Sequence, residues 1–149
     1  HAFWCLARHA ESSSRRMTNP LKSLLYVSRL ADESNASCVS DIIKTARAFN
    51  AVNGITGVLV FDGERFAQFI EGEAAAIDAL TQNLQRDRRH TEFTILHITP
   101  QEDARQFQSW SMGYTDLELD QLDIGELKAQ TSEKARDLFL EQVALLDIV

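Results

Sequence analysis

Gly57-Val58-Leu59-Val60-Phe61-Asp62-Gly63-Glu64-Arg65-Phe66-Ala67-Gln68-Phe69-Ile70 is two apolar arms around Asp62-Gly63, a pair that favours a tight turn, so the stretch reads as a β-hairpin with antiparallel arms. Its second arm carries the residue that most needs an explanation. Alternation puts Gln68 on the face shared by Phe66 and Ile70, so a primary amide points into an apolar layer. Left without partners, such an amide costs about 1–3 kcal/mol, and either the protein or a ligand has to satisfy it. A strand over Leu21 to Ser28 carries a comparable group, because Tyr26 within Leu24-Leu25-Tyr26-Val27-Ser28 brings a phenol to a sheet face.

Outward from the hairpin, Val39, Ile42, Ile43, Ala46 and Phe49 recur at helical spacing and predict a helix over Ser37 to Val52. Asn50 falls on the same stripe, four residues beyond Ala46, and Gly54 ends the helix. Ala74, Ile77, Leu80, Thr81 and Leu84 mark a second amphipathic helix that runs into the polar Gln85-Arg86-Asp87-Arg88-Arg89-His90. A strand over Phe93 to Thr99 follows, then a short fifth strand, Trp110-Ser111-Met112-Gly113-Tyr114, with Trp110 and Met112 on one face. The order βαββαβ plus one strand predicts an α+β fold, a ferredoxin-like sandwich with two helices on one face of a mostly antiparallel sheet. Leu25, Val27, Leu59, Phe61 and Phe69 are expected on the face opposite Tyr26 and Gln68, so that face needs a cover. Ala135, Leu138, Phe139, Leu145, Leu146 and Val149, following a cap candidate at Thr131-Ser132, predict a C-terminal helix for that role, with a dimer interface as the competitor. The expected division is a tail over 1–20, the sheet domain over 21–115, and a helical cap or output segment over 116–149.

A chain of 149 residues with 44% hydrophobic and 25% charged content is one ordinary globular domain. Its net charge of −7, with Lys and Arg scattered, argues against a nucleic-acid footprint. Cys5 and Cys38 have neither a disulfide framework nor metal-ligand spacing around them, which fits a reducing cytoplasm and predicts no metal site. No apolar run approaches the ~20 residues that cross a bilayer. Met17 is the expected natural start, with the residues before it a tail.

Tyr26, Asn50 and Gln68 come from a strand, a helix end and a neighbouring strand, and all point into the layer between sheet and helices, where together they can surround one flat, polar-edged ligand. Any one of them alone is more often a core polar group bonded to backbone. The combination of Leu25-Tyr26-Val27-Ser28, Asn50-Ala51-Val52-Asn53-Gly54-Ile55-Thr56-Gly57-Val58-Leu59, Phe66-Ala67-Gln68-Phe69-Ile70-Glu71-Gly72, Asp87-Arg88-Arg89-His90 and Trp110-Ser111-Met112 resembles a BLUF domain, a blue-light sensor using FAD. The resemblance covers Leu24 to Tyr114. It implies an isoalloxazine between the two helices, with the Gln68 amide bridging the Tyr26 hydroxyl and the flavin edge, and Asn50 bonding the same edge. It implies that Tyr26 gives up an electron and a proton on illumination, that Gln68 relays them and rearranges, and that the fifth strand, where Trp110 and Met112 exchange places beside Gln68, carries the output. Ile42, Ile43, Phe66 and Leu84 are the expected ring liners, and Asp87, Arg89 and His90 the residues for the ribityl or phosphate portion. Phe49 and Ala46 stand where the family often has an Asn and a small hydroxyl residue, and Asn83 where it often has an Arg; FMN and riboflavin are therefore admitted beside FAD.

What the resemblance implies for partners is a homodimer or higher homo-oligomer signalling to a separate, unknown downstream protein, with no nucleic acid and no membrane. The competing readings are a small flavoprotein oxidoreductase or acylphosphatase-like hydrolase on the same fold and a ligand-free interaction module. Neither a Ser/His/Asp nor a Cys/His set favours an enzyme, and Glu71 and Glu73 read as carboxylates favoured by the start of a helix.

Overall fold

The computed structural model describes residues 20–32, 34–114 and 123–144. Met17 and Cys5, the segment 115–122, and Leu145, Leu146 and Val149 lie outside the described residues. The elements run β1 (Leu21–Leu30), α1 (Ala36–Val52), β2 (Thr56–Phe61), β3 (Arg65–Glu73), α2 (Ala74–Arg86), β4 (His90–Glu102), β5 (Trp110–Tyr114), α3 (Ile124–Ala129) and α4 (Ser132–Val143). The sheet order is β4-β1-β3-β2-β5, antiparallel except that β5 runs parallel to β2. This is the ferredoxin-like arrangement with an added fifth strand.

Local chemistry sets the boundaries. Asn35 caps α1 by accepting from the Ser37 and Cys38 amides, 3.0 and 3.4 Å away. The hairpin closes through residues 62–64, where Asp62 Oδ1 accepts from the Glu64 and Arg65 amides at 2.9 and 2.6 Å. At Gly57 a Cβ would lie 1.9 Å from the Phe69 carbonyl oxygen, and its φ of 145° favours glycine, so this position lets β2 pass close to β3. Thr131 takes the N-cap position of α4 without a side-chain cap bond; the neighbouring Ser132 hydroxyl is bonded to His97 Nδ1 at 2.6 Å instead.

Both faces of the sheet are covered. On one, Leu25, Val27, Val58, Val60, Ala67 and Phe69 pack under Ile124 and Leu127 of α3 and Ala135, Phe139 and Val143 of α4. On the other, Leu24, Tyr26 and Ile70 pack with Ile77 and Leu80 of α2, while Leu59, Phe61, Phe66 and Met112 pack with Val39 of α1. The expected cover is therefore present within the chain, built from the two short helices α3 and α4. Leu59 and Phe61 are corrected to the same face as Gln68. Alternation orders residues within one arm, but the match between arms is set by register; Leu59 opposes Gln68 and Phe61 opposes Phe66, and directly opposed residues share a face. Glu71 is corrected too: it lies in β3, fully buried, on the α3/α4 side, while α2 starts only after Glu73.

Candidate functional site

Sheet register brings the first pair together. Tyr26 opposes Gln68 across the β1–β3 ladder, both are buried, and Gln68 Nε2 donates to the Tyr26 hydroxyl at 2.6 Å. From β5, Trp110 Nε1 donates to Gln68 Oε1 at 2.8 Å. An indole N–H is only a donor, so it must meet the amide oxygen, and this fixes the NH2 group toward Tyr26. Gln68 keeps one further N–H for another acceptor. Exposed Arg47 of α1 lies over the half-buried Trp110 ring, its guanidinium carbon 5.7 Å from the centroid. Met112 is buried with Leu59 and Phe66, two positions along β5.

Burial pushes the Tyr26 phenol far above its ordinary pKa; the Gln68 bond works against this, and the negative charge of Asp87 adds to it. The phenol therefore stays protonated at any physiological pH. Its ring packs against Phe93 at 4.7 Å and, edge-on, against His90 at 6.4 Å.

A cleft between α1, α2 and the sheet opens over this pair. Ile42, Asn50, Phe66, Leu84, Asp87, Arg89 and His90 line it beside Tyr26 and Gln68. Ile43 does not: one residue round the helix from Ile42, it packs against the Leu59, Phe61 and Met112 cluster. Thr45, Leu59 and Leu80 line the cleft without having been singled out. Leu59 was hidden by the face error. Thr45 was hidden by its place beside the apolar stripe; its hydroxyl bonds back to the Asp41 carbonyl at 2.8 Å.

The polar rim differs from expectation in two places. His90 Nδ1 meets the Ser28 hydroxyl at 2.7 Å and Nε2 meets the Leu84 carbonyl at 2.6 Å, so both nitrogens are engaged in tying β4 to β1 and to the end of α2. The carbonyl can only accept, which makes Nε2 the protonated nitrogen. Arg89 gives its Nε and Nη2 edge to Asp87, with contacts of 2.7 to 3.2 Å, and this pairing holds the Asp87 carboxyl below the usual carboxylate range. The fork that would clasp a phosphate is thus spent on a carboxylate within the chain.

Asn50 tests what the cleft is built to hold. It is 1% exposed, at the C-terminal end of α1, and neither its Oδ1 nor its Nδ2 has a partner among the described residues. A donor and an acceptor side by side, buried in the wall of an apolar slot and facing the same space as the spare Gln68 N–H, fit a flat heteroaromatic edge that alternates acceptors and donors, such as the edge of a flavin.

The comparisons with known proteins agree. The family model described as BLUF, sensors of blue-light using FAD, matches residues 21–113. The chain is 30% identical over 92 residues to the photoactivated adenylate cyclase subunit beta of Euglena gracilis, and 27% identical over 103 residues to the blue light- and temperature-regulated antirepressor BluF of Escherichia coli. These alignments cover 62% and 69% of this chain but 11% and 25% of those proteins, so the chain spans a minor part of their length. Among solved structures, BlrB, a BLUF protein in its dark state, aligns with a TM-score of 0.60 and 32% identity over 80% of this chain and 85% of that one. The ground state of BlsA aligns with a TM-score of 0.67 and 28% identity over 82% and 87%. With the fold, the Tyr26–Gln68 pair and the family model in accord, the chain belongs to the BLUF family, sensors of blue light that use FAD.

Proposed function

We propose that this chain holds the FAD isoalloxazine in the cleft between α1 and α2 and reports blue light by rearranging the Tyr26–Gln68–Trp110 hydrogen-bond chain. The observation that carries the reading is Gln68 itself, bonded on one side to a buried phenol and on the other to an indole that sits on a different strand. Bound FAD supplies the absorption of blue light and, once excited, an electron acceptor. Tyr26, protonated and buried, is placed to give up an electron and its hydroxyl proton; the Gln68 NH2 that faces the hydroxyl only donates, so Gln68 can take that proton only at Oε1, once the amide has turned. The orphaned Asn50 amide bonds the polar edge of the ring. Ile42, Phe66, Leu80 and Leu84 supply the apolar walls, with Asp87 and the rest of the Arg89 guanidinium at the rim.

Donor counting explains why this chain makes a switch. Rotating the Gln68 amide by half a turn would set its NH2 against the Trp110 N–H, donor facing donor. The alternative state is reached only if the indole leaves or the amide becomes its imidic tautomer, and either change is felt at the start of β5. Absorption spectra of the FAD-loaded protein before and after blue light test the reading; a reversible red shift of the flavin bands is expected, and bands that stay in place overturn it.

Output through a separate protein, without catalysis by this domain, belongs to the same proposal, as do a cytoplasmic setting, which the free Cys38 supports, and assembly as a homodimer or higher oligomer. Ile95 and Ile98 of the edge strand β4 are exposed and offer an apolar strip to another chain. Among the described residues no helix is long and apolar enough to cross a membrane. FAD is the expected ligand. With the Arg89 fork given to Asp87, FMN and riboflavin are expected to load as well, and extraction of the bound flavin checks this.

Asn50→Ala separates the cost of the site from its use. In the ligand-free protein the variant removes a buried amide that lacks partners, so stability is expected to hold or rise by up to about 1 kcal/mol. Affinity for FAD is expected to fall by roughly tenfold or more, as the loss of hydrogen bonds worth about 1–3 kcal/mol requires. Thermal melting of the apoprotein and flavin titration check the two signs; a variant with weakened apoprotein and unchanged affinity would make Asn50 a structural amide.

A further inference from the structure

Glu71 is a fully buried carboxylate that light sensing at the cleft does not use. It lies three residues after Gln68 in β3, with its side chain on the opposite face of the sheet. Its Oε1 and Oε2 accept from the Gln106 amide at 2.9 and 2.8 Å, and Oε2 accepts from the Phe107 amide at 2.7 Å and from the Thr56 hydroxyl at 3.4 Å. Arg105 Nη1 donates to the same Thr56 hydroxyl at 2.7 Å and to the Glu71 carbonyl at 3.2 Å. Residues 105 to 107 are thereby fastened to the ends of β2 and β3, and the Ser109 carbonyl accepts from the Gly57 amide at 3.1 Å one residue before Trp110. Burying a carboxyl group is expensive, and the bonds it accepts from backbone amides offset that cost and hold it in place.

The fastening touches both layers. Phe107 packs into the cluster under α4, its ring 5.8 Å from that of Phe69, and the guanidinium carbon of Arg136 from α4 lies 5.7 Å from the same Phe69 ring. Three residues further along the chain, the Trp110 indole is bonded to Gln68 on the other side of the sheet. The segment 105–110 therefore passes from the α4 layer to the cleft layer, and Glu71 is its anchor.

We propose that Glu71 is a positioning residue: by gripping the Gln106 and Phe107 amides it sets the start of β5, holds the Trp110 indole on Gln68, and makes a displacement of that indole register at α4 through Phe107. The proposal rests on the light-sensing reading above, but its test separates the two. FAD-loaded wild type, Glu71→Ala and Glu71→Gln are compared in darkness and under blue light for flavin absorption, dark-recovery rate and hydrogen exchange of the α4 amides. Glu71→Ala is expected to load flavin and still to shift in blue light, because the Tyr26–Gln68 bond and the Asn50 amide remain in place. Its recovery rate is expected to change by about fivefold or more, the lower end of site-to-site coupling, and its α4 amides to lose their dependence on light. Glu71→Gln, with one oxygen for two amides, is expected to fall between. Recovery and exchange as in the wild type in both variants would overturn the proposal, and so would wild-type α4 exchange that ignores light. If Glu71→Ala does not load flavin, Phe107→Leu carries the test, since it leaves the carboxylate grip on the backbone amides intact and trims the packing under α4; light-dependent exchange kept at the wild-type level there overturns the route to α4. A wild type without any shift instead sinks the sensor reading itself.

Discussion

Gln68→Leu is expected to load flavin and show no light-induced shift at all. The cleft walls and the Asn50 amide are independent of Gln68, so binding survives with a modest loss, whereas the group that bonds both the Tyr26 hydroxyl and the Trp110 indole is gone. The replacement is close in size, but it leaves a phenol and an indole N–H facing an isobutyl group. Each unpaired buried group costs about 1–3 kcal/mol unless it finds another partner. Trp110 has a way out, being half-buried, while Tyr26, 3% exposed, does not. The variant is therefore expected to melt lower by an amount that reflects the phenol alone, and its tryptophan emission is expected to report a more solvated indole. Difference absorption spectra decide the main point: a photocycle of ordinary size without this amide would remove Gln68 from the mechanism and leave it as packing between β1 and β5.

Much of this site is legible in the chain because the decisive signal is a conflict. An amide inside Phe66-Ala67-Gln68-Phe69-Ile70 contradicts the apolar pattern around it, and together with the Tyr26 phenol and the Asn50 amide aimed into the same layer it marks a functional site. The hairpin, the two amphipathic helices and the βαββαβ order are equally readable, since each rests on local periodicity. What local periodicity does not contain is register. Leu59 and Phe61 lie on the Gln68 face, which alternation alone does not reveal, because the pairing of one arm with the other depends on the loop at residues 62–64 and on the close passage at Gly57. Glu71 was misread for a related reason: β3 continues through Gly72 and Glu73, so a carboxylate that looks like helix-start chemistry is a buried strand residue bonded to a loop 35 residues away. Arg47 shows nothing unusual in sequence, and only the fold sets it over Trp110. The pairing of Arg89 with Asp87 is legible in the spacing, two residues apart, yet the same residues read equally well as a phosphate clasp until their geometry is seen.

Tyr26→Phe is expected to retain flavin, fold and melting behaviour to within about 1 kcal/mol and to abolish the red shift. The ring contacts with Phe93 and His90 do not involve the hydroxyl, so the aromatic packing stays, and the loss is one hydrogen bond to Gln68 Nε2. The phenol is also the group that desolvation works hardest against in its ionised form, so removing it relieves no charge in the dark protein. Its absence is felt only when an electron and a proton have to leave together. A second candidate for that role lies within bonding distance of the same amide, because Trp110 Nε1–H reaches Gln68 Oε1 at 2.8 Å. An indole there can give up an electron, but its proton faces the amide oxygen rather than the nitrogen. It would therefore drive the amide from the opposite end and leave the dark arrangement nearest to Tyr26 unchanged. The two donors are thus distinguishable. If Tyr26→Phe is silent and Trp110→Phe still shifts, the phenol is the donor and the indole belongs to the output. If Tyr26→Phe shifts fully and Trp110→Phe is silent, the roles assigned to the two strands exchange.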